Sequence, residues 1–543
     1  MLKHKADAAT GGPADGTAPG DTVPSAGPPG AAVRGRGLDP AAVARIADGA
    51  TPPPPHPADL ETMEHTRRAA HRLAAEGARV YGRSTGVGAH RGLAVEEHDG
   101  AGHDLRLLLS HAGGVGEALP ARQVRAMMVV RANQLLSGGS GLGPEIALAV
   151  MDALRAGVHP RVPEYGSVGT GDLTALAQLG LALFGHGTWV RDRAGSESPF
   201  PESLLPESPF PESLPIQRGD ALALLSSNAL TLGQSALACH DLGVPLRAAH
   251  LVAALSLHAI GGSLEPYAPE VHAAHPHPAI AQVAARVRGL LGVAAGSGTS
   301  VPGLPGGESA RVQDPFGFRC FPQAHGPATE AWTGLERVLS IDLNSAAENP
   351  LIGWDETTGA PVARHHGGFF TAPLTLALDQ LGLAVLGTAR LSAARLSGLG
   401  RPELTGLRSY LADASSAGSG MMILEYSAAS ALAEMQACAA PAALGHVVLS
   451  QGMEEAATFA TQAARKSLRL AQAYRLVLAC ELVAAVRALR LSERPPAPDT
   501  PAGRAYVRAA AALDPDMRDR PLTDDVTGAA ALLDEFAELT GDG

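Results

Sequence analysis

Pro163-Glu-Tyr-Gly-Ser-Val-Gly-Thr-Gly-Asp-Leu-Thr-Ala-Leu-Ala177 decides how the rest of the chain reads. Gly166, Gly169 and Gly171 punctuate a turn that runs straight into an apolar helical pattern starting at Asp172. Aspartate is a favoured N-cap, and a helix N-terminus offers unpaired backbone N–H groups and the positive end of the helix dipole. A turn delivered onto such an end suits a place where negative charge develops. Its glycines let the backbone compress.

Working outward, helical periodicity dominates: 60–80, 121–136, 144–156, 172–184, 220–254, 370–396, 420–439 and 453–491. Several of these stretches exceed twenty-five residues without an obvious cap, which predicts a bundle of long antiparallel helices. Composition agrees. The 543 residues are 45% hydrophobic but only 4% aromatic. The apolar residues are mostly Ala, Leu and Val, and Ala and Leu are strong helix formers, so a mainly α chain is expected. The net charge of −12 argues against nucleic acid or an anionic membrane as partner. Cys239, Cys320, Cys438 and Cys480 form no CxxC pair and read as thiols of a reducing compartment. Residues 1–38, rich in Gly, Pro and Ala with no apolar h-region, read as a disordered tail rather than a secretory signal. The helical domain is expected over 39–543, in the cytoplasm. Within it, 191–216 carries a Pro-rich near-duplication, Glu197–Pro206 followed by Glu207–Pro215, expected to be a surface loop.

The polar clusters fall in the loops. Tyr81-Gly-Arg-Ser-Thr-Gly-Val-Gly88 sets a tyrosine at the mouth of a Gly-rich loop and lacks the GK[ST] of a phosphate loop. Ser110 and His111 follow the apolar run 107–109, where a lone histidine is ordinarily a satisfied one. Asn228 sits in Leu225-Ser-Ser-Asn-Ala-Leu-Thr231. Gln313-Asp-Pro-Phe-Gly-Phe-Arg-Cys-Phe-Pro-Gln323 carries Gln313, Phe316 and Arg319. Glu454, in Ser450-Gln-Gly-Met-Glu-Glu-Ala456, is by itself an ordinary helix-start carboxylate. His272, His275 and His277 are interrupted by prolines and lack a closing carboxylate, so no metal site is expected.

Taken together and in order, these segments resemble those of the aromatic amino acid ammonia-lyases and aminomutases, the histidine and phenylalanine ammonia-lyase superfamily. The resemblance covers roughly 39–539 apart from the duplicated loop. It implies an ammonia-lyase (fumarase/aspartase-like) architecture assembling as a homotetramer, with three subunits building each site around a small amino acid or related acid. It implies Tyr81 as catalytic base, and Ser110 and His111 facing the substrate side chain. It places Asn228 beside the electrophile, Gln313 and Arg319 on the substrate carboxylate, and Glu454 on its ammonium. Phe316 stands where the family has a second tyrosine.

The family's electrophile is MIO, a methylidene-imidazolone made by cyclising and dehydrating Ala-Ser-Gly. Here the triad is Gly169-Thr170-Gly171 with one residue fewer, and dehydrating threonine would add a methyl to the attacked carbon. No external cofactor is expected, and neither is an ordinary MIO group; the purified chain is expected at its unmodified mass. Three readings follow: a Tyr-assisted, MIO-free elimination or addition of the kind used in specialised metabolism; a conventional lyase or 2,3-aminomutase; or a non-catalytic homologue that binds a partner.

Overall fold

The computed structural model of the chain describes residues 33–96, 101–191, 212–293, 311–413 and 417–540. Its centre is the Ala229–Ala259 helix, buried along almost its whole length. A helix apolar on every side has to be enclosed by others. It is: the Ala460–Ser492, Ala121–Leu136, Phe321–Asp342 and Thr523–Leu539 helices pack around it. The Ala372–Leu399 helix lies against Phe321–Asp342 and Ala460–Ser492, and the Met422–Cys438 helix flanks the latter. Among the described residues, strand is confined to three two-stranded antiparallel sheets, among them Val115–Ala118 with Pro163–Tyr165, which leads the chain into the glycine turn. The expectation of a mainly α helical bundle is met.

Two buried ion pairs fix how the helices meet. The Arg395 guanidinium holds both Glu481 oxygens, at 2.6 and 2.8 Å, while the Ser256 and Ser392 hydroxyls donate to the same carboxylate. Glu481 thus ties three helices with four donors, which a buried charge requires. Arg131 does the same for the loops: it bonds Glu348 at 2.9 Å and the carbonyls of Ala223 and Leu224.

Sequence periodicity placed the 121–136 and 144–156 helices at the bounds observed, Ala121–Leu136 and Pro144–Ala156. Two expected helices are shorter. The 220–254 stretch breaks into Asp220–Leu225 and Ala229–Ala259, and the 453–491 stretch starts only at Ala460. Both interruptions lie at the site described next. The tail boundary at 38 falls too late: Val33 and Leu38 are buried, and the Arg34 and Gly35 amides donate to Asn133 Oδ1. Most of the duplicated 191–216 segment lies outside the described residues.

Candidate active site

Four helices begin around Gly169–Gly171. The turn itself enters the Leu173–Leu183 helix. Asn228, the N-cap residue of Ala229–Ala259, accepts the Gly171 amide at 3.0 Å and donates to the Phe369 carbonyl at 2.7 Å. Thr371, N-cap residue of Ala372–Leu399, donates its hydroxyl to the Gly169 carbonyl at 2.9 Å. Thr458, just ahead of Ala460–Ser492, donates to the same oxygen at 2.9 Å. Each helix start contributes roughly half a positive charge, so the turn sits in a field that favours anions.

The rest of the turn is held as firmly. Phe459 N–H donates to the Val168 carbonyl at 2.8 Å, and Gln462 to that of Ser167 at 2.9 Å. Asp172 does not cap its own helix. Its carboxylate accepts the Thr231 backbone N–H at 2.7 Å and hydroxyl at 2.9 Å, so it caps the Ala229–Ala259 helix instead. Burial pushes the Asp172 carboxyl upward, opposed by those Thr231 donors. Gly169 has φ +86°, and a Cβ there would fall 2.1 Å from Thr458 Oγ1 and 2.7 Å from the Ala460 nitrogen. The position admits only glycine.

Thr170 and Gly171 line a cavity of about 740 Å³ with Tyr81, His111, Phe369 and Glu454. The Tyr81 hydroxyl accepts the Gly88 N–H at 2.8 Å, which fixes its oxygen at the cavity wall. His111 Nδ1 lies 2.8 Å from the Leu107 carbonyl, an acceptor, so this nitrogen carries a proton. Glu454 stands on a tight turn, with Ser450 and Gln451 at positive φ and the Leu449 carbonyl taking its N–H. His90, Arg91 and Glu455, none of them singled out from sequence, also line the cavity.

Five expected residues do not line this cavity. Ser110 is exposed and donates to Leu107 within its own helix. Asn228 is buried behind the turn and holds Gly171 rather than lining the cavity. Gln313, Phe316 and Arg319 do not line the cavity either. Their neighbour Gly317 packs on Ala394 and Arg395, toward the end of the Ala372–Leu399 helix, whereas the cavity lies at its start. At 1.5 Å per residue, roughly 35 Å of helix separates the two. Phe316 is 64% exposed, Arg319 rests on its ring at 4.6 Å, and Arg319 Nε is buried with no hydrogen-bond partner among the described residues. Sequence reading missed Thr371 and Thr458; single threonines carry no spacing signal.

A family model described as aromatic amino acid lyase matches residues 38–512. The histidine ammonia-lyase of Geobacillus kaustophilus is 34% identical over 465 residues, covering 85% of this chain and 88% of that one. That of Anaeromyxobacter dehalogenans is 34% identical over 503 residues, covering 91% and 96%. The crystal structure of tyrosine aminomutase from Streptomyces globisporus superposes with a TM-score of 0.82 at 26% identity, covering 94% of this chain and 97% of that one. These likenesses correct the expectation about the cofactor. Histidine and phenylalanine ammonia-lyases use MIO, an internal group made from their own backbone, so a chain of this kind is not to be read as lacking one. The turn fits such a group: its first carbonyl has two hydroxyl donors and its third amide has an acceptor. On matched length, identity and fold together, the chain belongs to the aromatic amino acid lyase family and is a carbon–nitrogen lyase.

Proposed function

We propose that this enzyme removes ammonia from an aromatic-type amino acid, with histidine the first substrate to test because both relatives are histidine ammonia-lyases. The observation that carries this reading is that Tyr81, Thr170 and Glu454, from segments far apart in sequence, line one cavity at a convergence of helix starts. Tyr81 takes the β-proton, its oxygen held by Gly88. Glu454 pairs with the substrate ammonium, and His111 Nε2 accepts from the substrate side chain. Gly169, Thr170 and Gly171 would hold the MIO-type group, whose chemistry is to make the amine a competent leaving group. The helix starts stabilise the negative charge that develops.

Arg319 binds the substrate carboxylate from another copy of the chain, since its own cavity lies too far along the Ala372–Leu399 helix. Exposed apolar side chains support an assembly, which we take to be a homotetramer: Ile341, Leu376, Leu383, Ile423 and Tyr426 are 52–66% exposed on the Ala372–Leu399 helix and the two helices, Phe321–Asp342 and Met422–Cys438, that pack against it. The cytoplasm is the proposed location. Incubating purified protein with histidine, phenylalanine or tyrosine, and following ammonia and products by mass spectrometry, tests the reading. Release of ammonia with an α,β-unsaturated acid is expected. A β-amino acid would make it a 2,3-aminomutase, and no conversion of any of the three would reject the proposal.

A further inference from the structure

We infer that Gly169, Thr170 and Gly171 close on themselves into an ethylidene-imidazolone, a threonine-derived electrophile carrying one methyl more than the family's group. The inference deepens the proposed function by naming its electrophile, and rests on that reading only for the use of the group.

Ring closure joins the Gly171 nitrogen to the Gly169 carbonyl carbon. The ring atoms are therefore Gly169 C, Thr170 N, Cα and C, and Gly171 N. The residue missing from this turn lies outside them, so the deletion leaves the ring complete. Two things oppose closure in an ordinary peptide: an amide nitrogen is a poor nucleophile, and an amide carbonyl is a poor electrophile. Both are addressed here. The Thr371 and Thr458 hydroxyls donate to the Gly169 oxygen, each at 2.9 Å, and form an oxyanion hole for the tetrahedral adduct. Asn228 Oδ1 accepts the N–H of Gly171 at 3.0 Å, drawing its proton away as the nitrogen attacks. Gly169 at φ +86° and Gly171 at φ +129° supply the compressed backbone that residues with a Cβ rarely adopt. An alanine in the first position, as in the family triad, would collide with Thr458 and Ala460. The turn is shaped for this glycine.

The balance is two waters. Addition of the Gly171 N–H across the Gly169 C=O gives a carbinolamine. Its hydroxyl leaves with the Thr170 N–H proton, forming the ring C=N bond and the first water. Thr170 then loses its Cα hydrogen and its Oγ1 hydroxyl, forming the exocyclic C=C bond and the second water. No oxidant or reductant is consumed. Thr170 makes no hydrogen bond among the described residues and lines the cavity, so its hydroxyl has room to leave.

Intact-mass measurement of the purified full-length chain tests this without any assay of turnover. The expected result is the loss of two waters, mapped by peptide mass spectrometry to 169–171, with a near-ultraviolet band absent from Thr170→Ala. Thr170→Ser should also lose two waters. Thr371→Val and Thr458→Val should each raise the unmodified fraction, and the double variant should be mostly unmodified. A folded wild-type chain at its unmodified mass overturns the inference. Full dehydration in the double valine variant overturns the role given to the hydroxyls. Deamination by an unmodified chain would sink this inference and spare the proposed function; two waters lost with no turnover would do the reverse.

Discussion

The Gly169–Gly171 turn and the Gln313–Arg319 segment both carry residues of the proposed reaction, yet their surroundings differ completely. Every backbone carbonyl from Ser167 to Gly169 is bonded to a residue more than 200 positions away, and Asp172 is bonded to Thr231. Around Arg319, Gln313 and Phe316 face outward and a buried guanidinium nitrogen has no partner among the described residues. A part made to rearrange its own backbone has to be held before any ligand arrives. A part that only grips a ligand can wait for its neighbour. On the proposed roles, the difference teaches that the turn is finished by folding and the carboxylate grip by assembly.

The largest effect expected is on Tyr81. Tyr81→Phe keeps the ring and removes the hydroxyl held by Gly88, so turnover should fall about 10²–10⁴-fold with stability and the mass of the turn unchanged. Retained turnover would show that the cavity beside the turn is not where the proton is taken.

Acid should separate the two regions next. His325 stacks on Phe321 just beyond Arg319, His250 meets both rings edge-on, and both histidines are buried. Burial pushes His250 down to about 4, and holds His325 well below its ordinary value with help from His250, Arg395 and Arg286. A histidine whose folded value is depressed stabilises the fold above its unfolded value near 6.5, and that stability is lost as pH falls toward 4. For His250 alone the loss is on the order of 3 kcal/mol. Hydrogen exchange at decreasing pH should open the segment around Phe321 before the turn at Gly169; simultaneous opening would erase the contrast.

Arg319→Ala should lower kcat/KM about 10–100-fold, as expected for a charge-assisted contact worth 1.5–3 kcal/mol. If the grip comes from another copy, mixing the impaired Arg319→Ala and Tyr81→Phe chains and reassembling them should raise activity above that of either variant alone. No recovery would mean that one chain supplies both. The smallest effect concerns Asn228→Ala, which orphans the Gly171 amide and the Phe369 carbonyl and should cost about 1–3 kcal/mol in denaturant melts.

Much of this was legible from residues alone. The Ala121–Leu136 and Pro144–Ala156 helices read true because strong helix formers run unbroken between a proline and a glycine or serine. The Phe321–Asp342 helix did not, because Pro322, Gly326 and Pro327 mask its pattern while packing carries it through. The break at Ser226–Asn228 was hidden for the opposite reason. Its flanks are helical in pattern, but Asn228 is needed to hold Gly171 and the Ser227 carbonyl to accept the Asp172 amide. Tyr81, Thr170 and Glu454, which line one cavity, could be singled out because each stands in a motif; Thr371 and Thr458 act only through the fold. The placement of Arg319 was beyond any local pattern, since distance along a helix decides it.

The Ala460–Ser492 helix, at 33 residues the longest among those described, starts directly on the turn, with Thr458, Phe459 and Gln462 all gripping it. Its far half carries Glu481, which fastens the bundle. One rod therefore runs from the chemistry to the keystone of the fold. Heating should then offer no intermediate that keeps its helices while losing its catalyst: the temperature at which activity disappears and the temperature at which the heat of melting peaks should be the same.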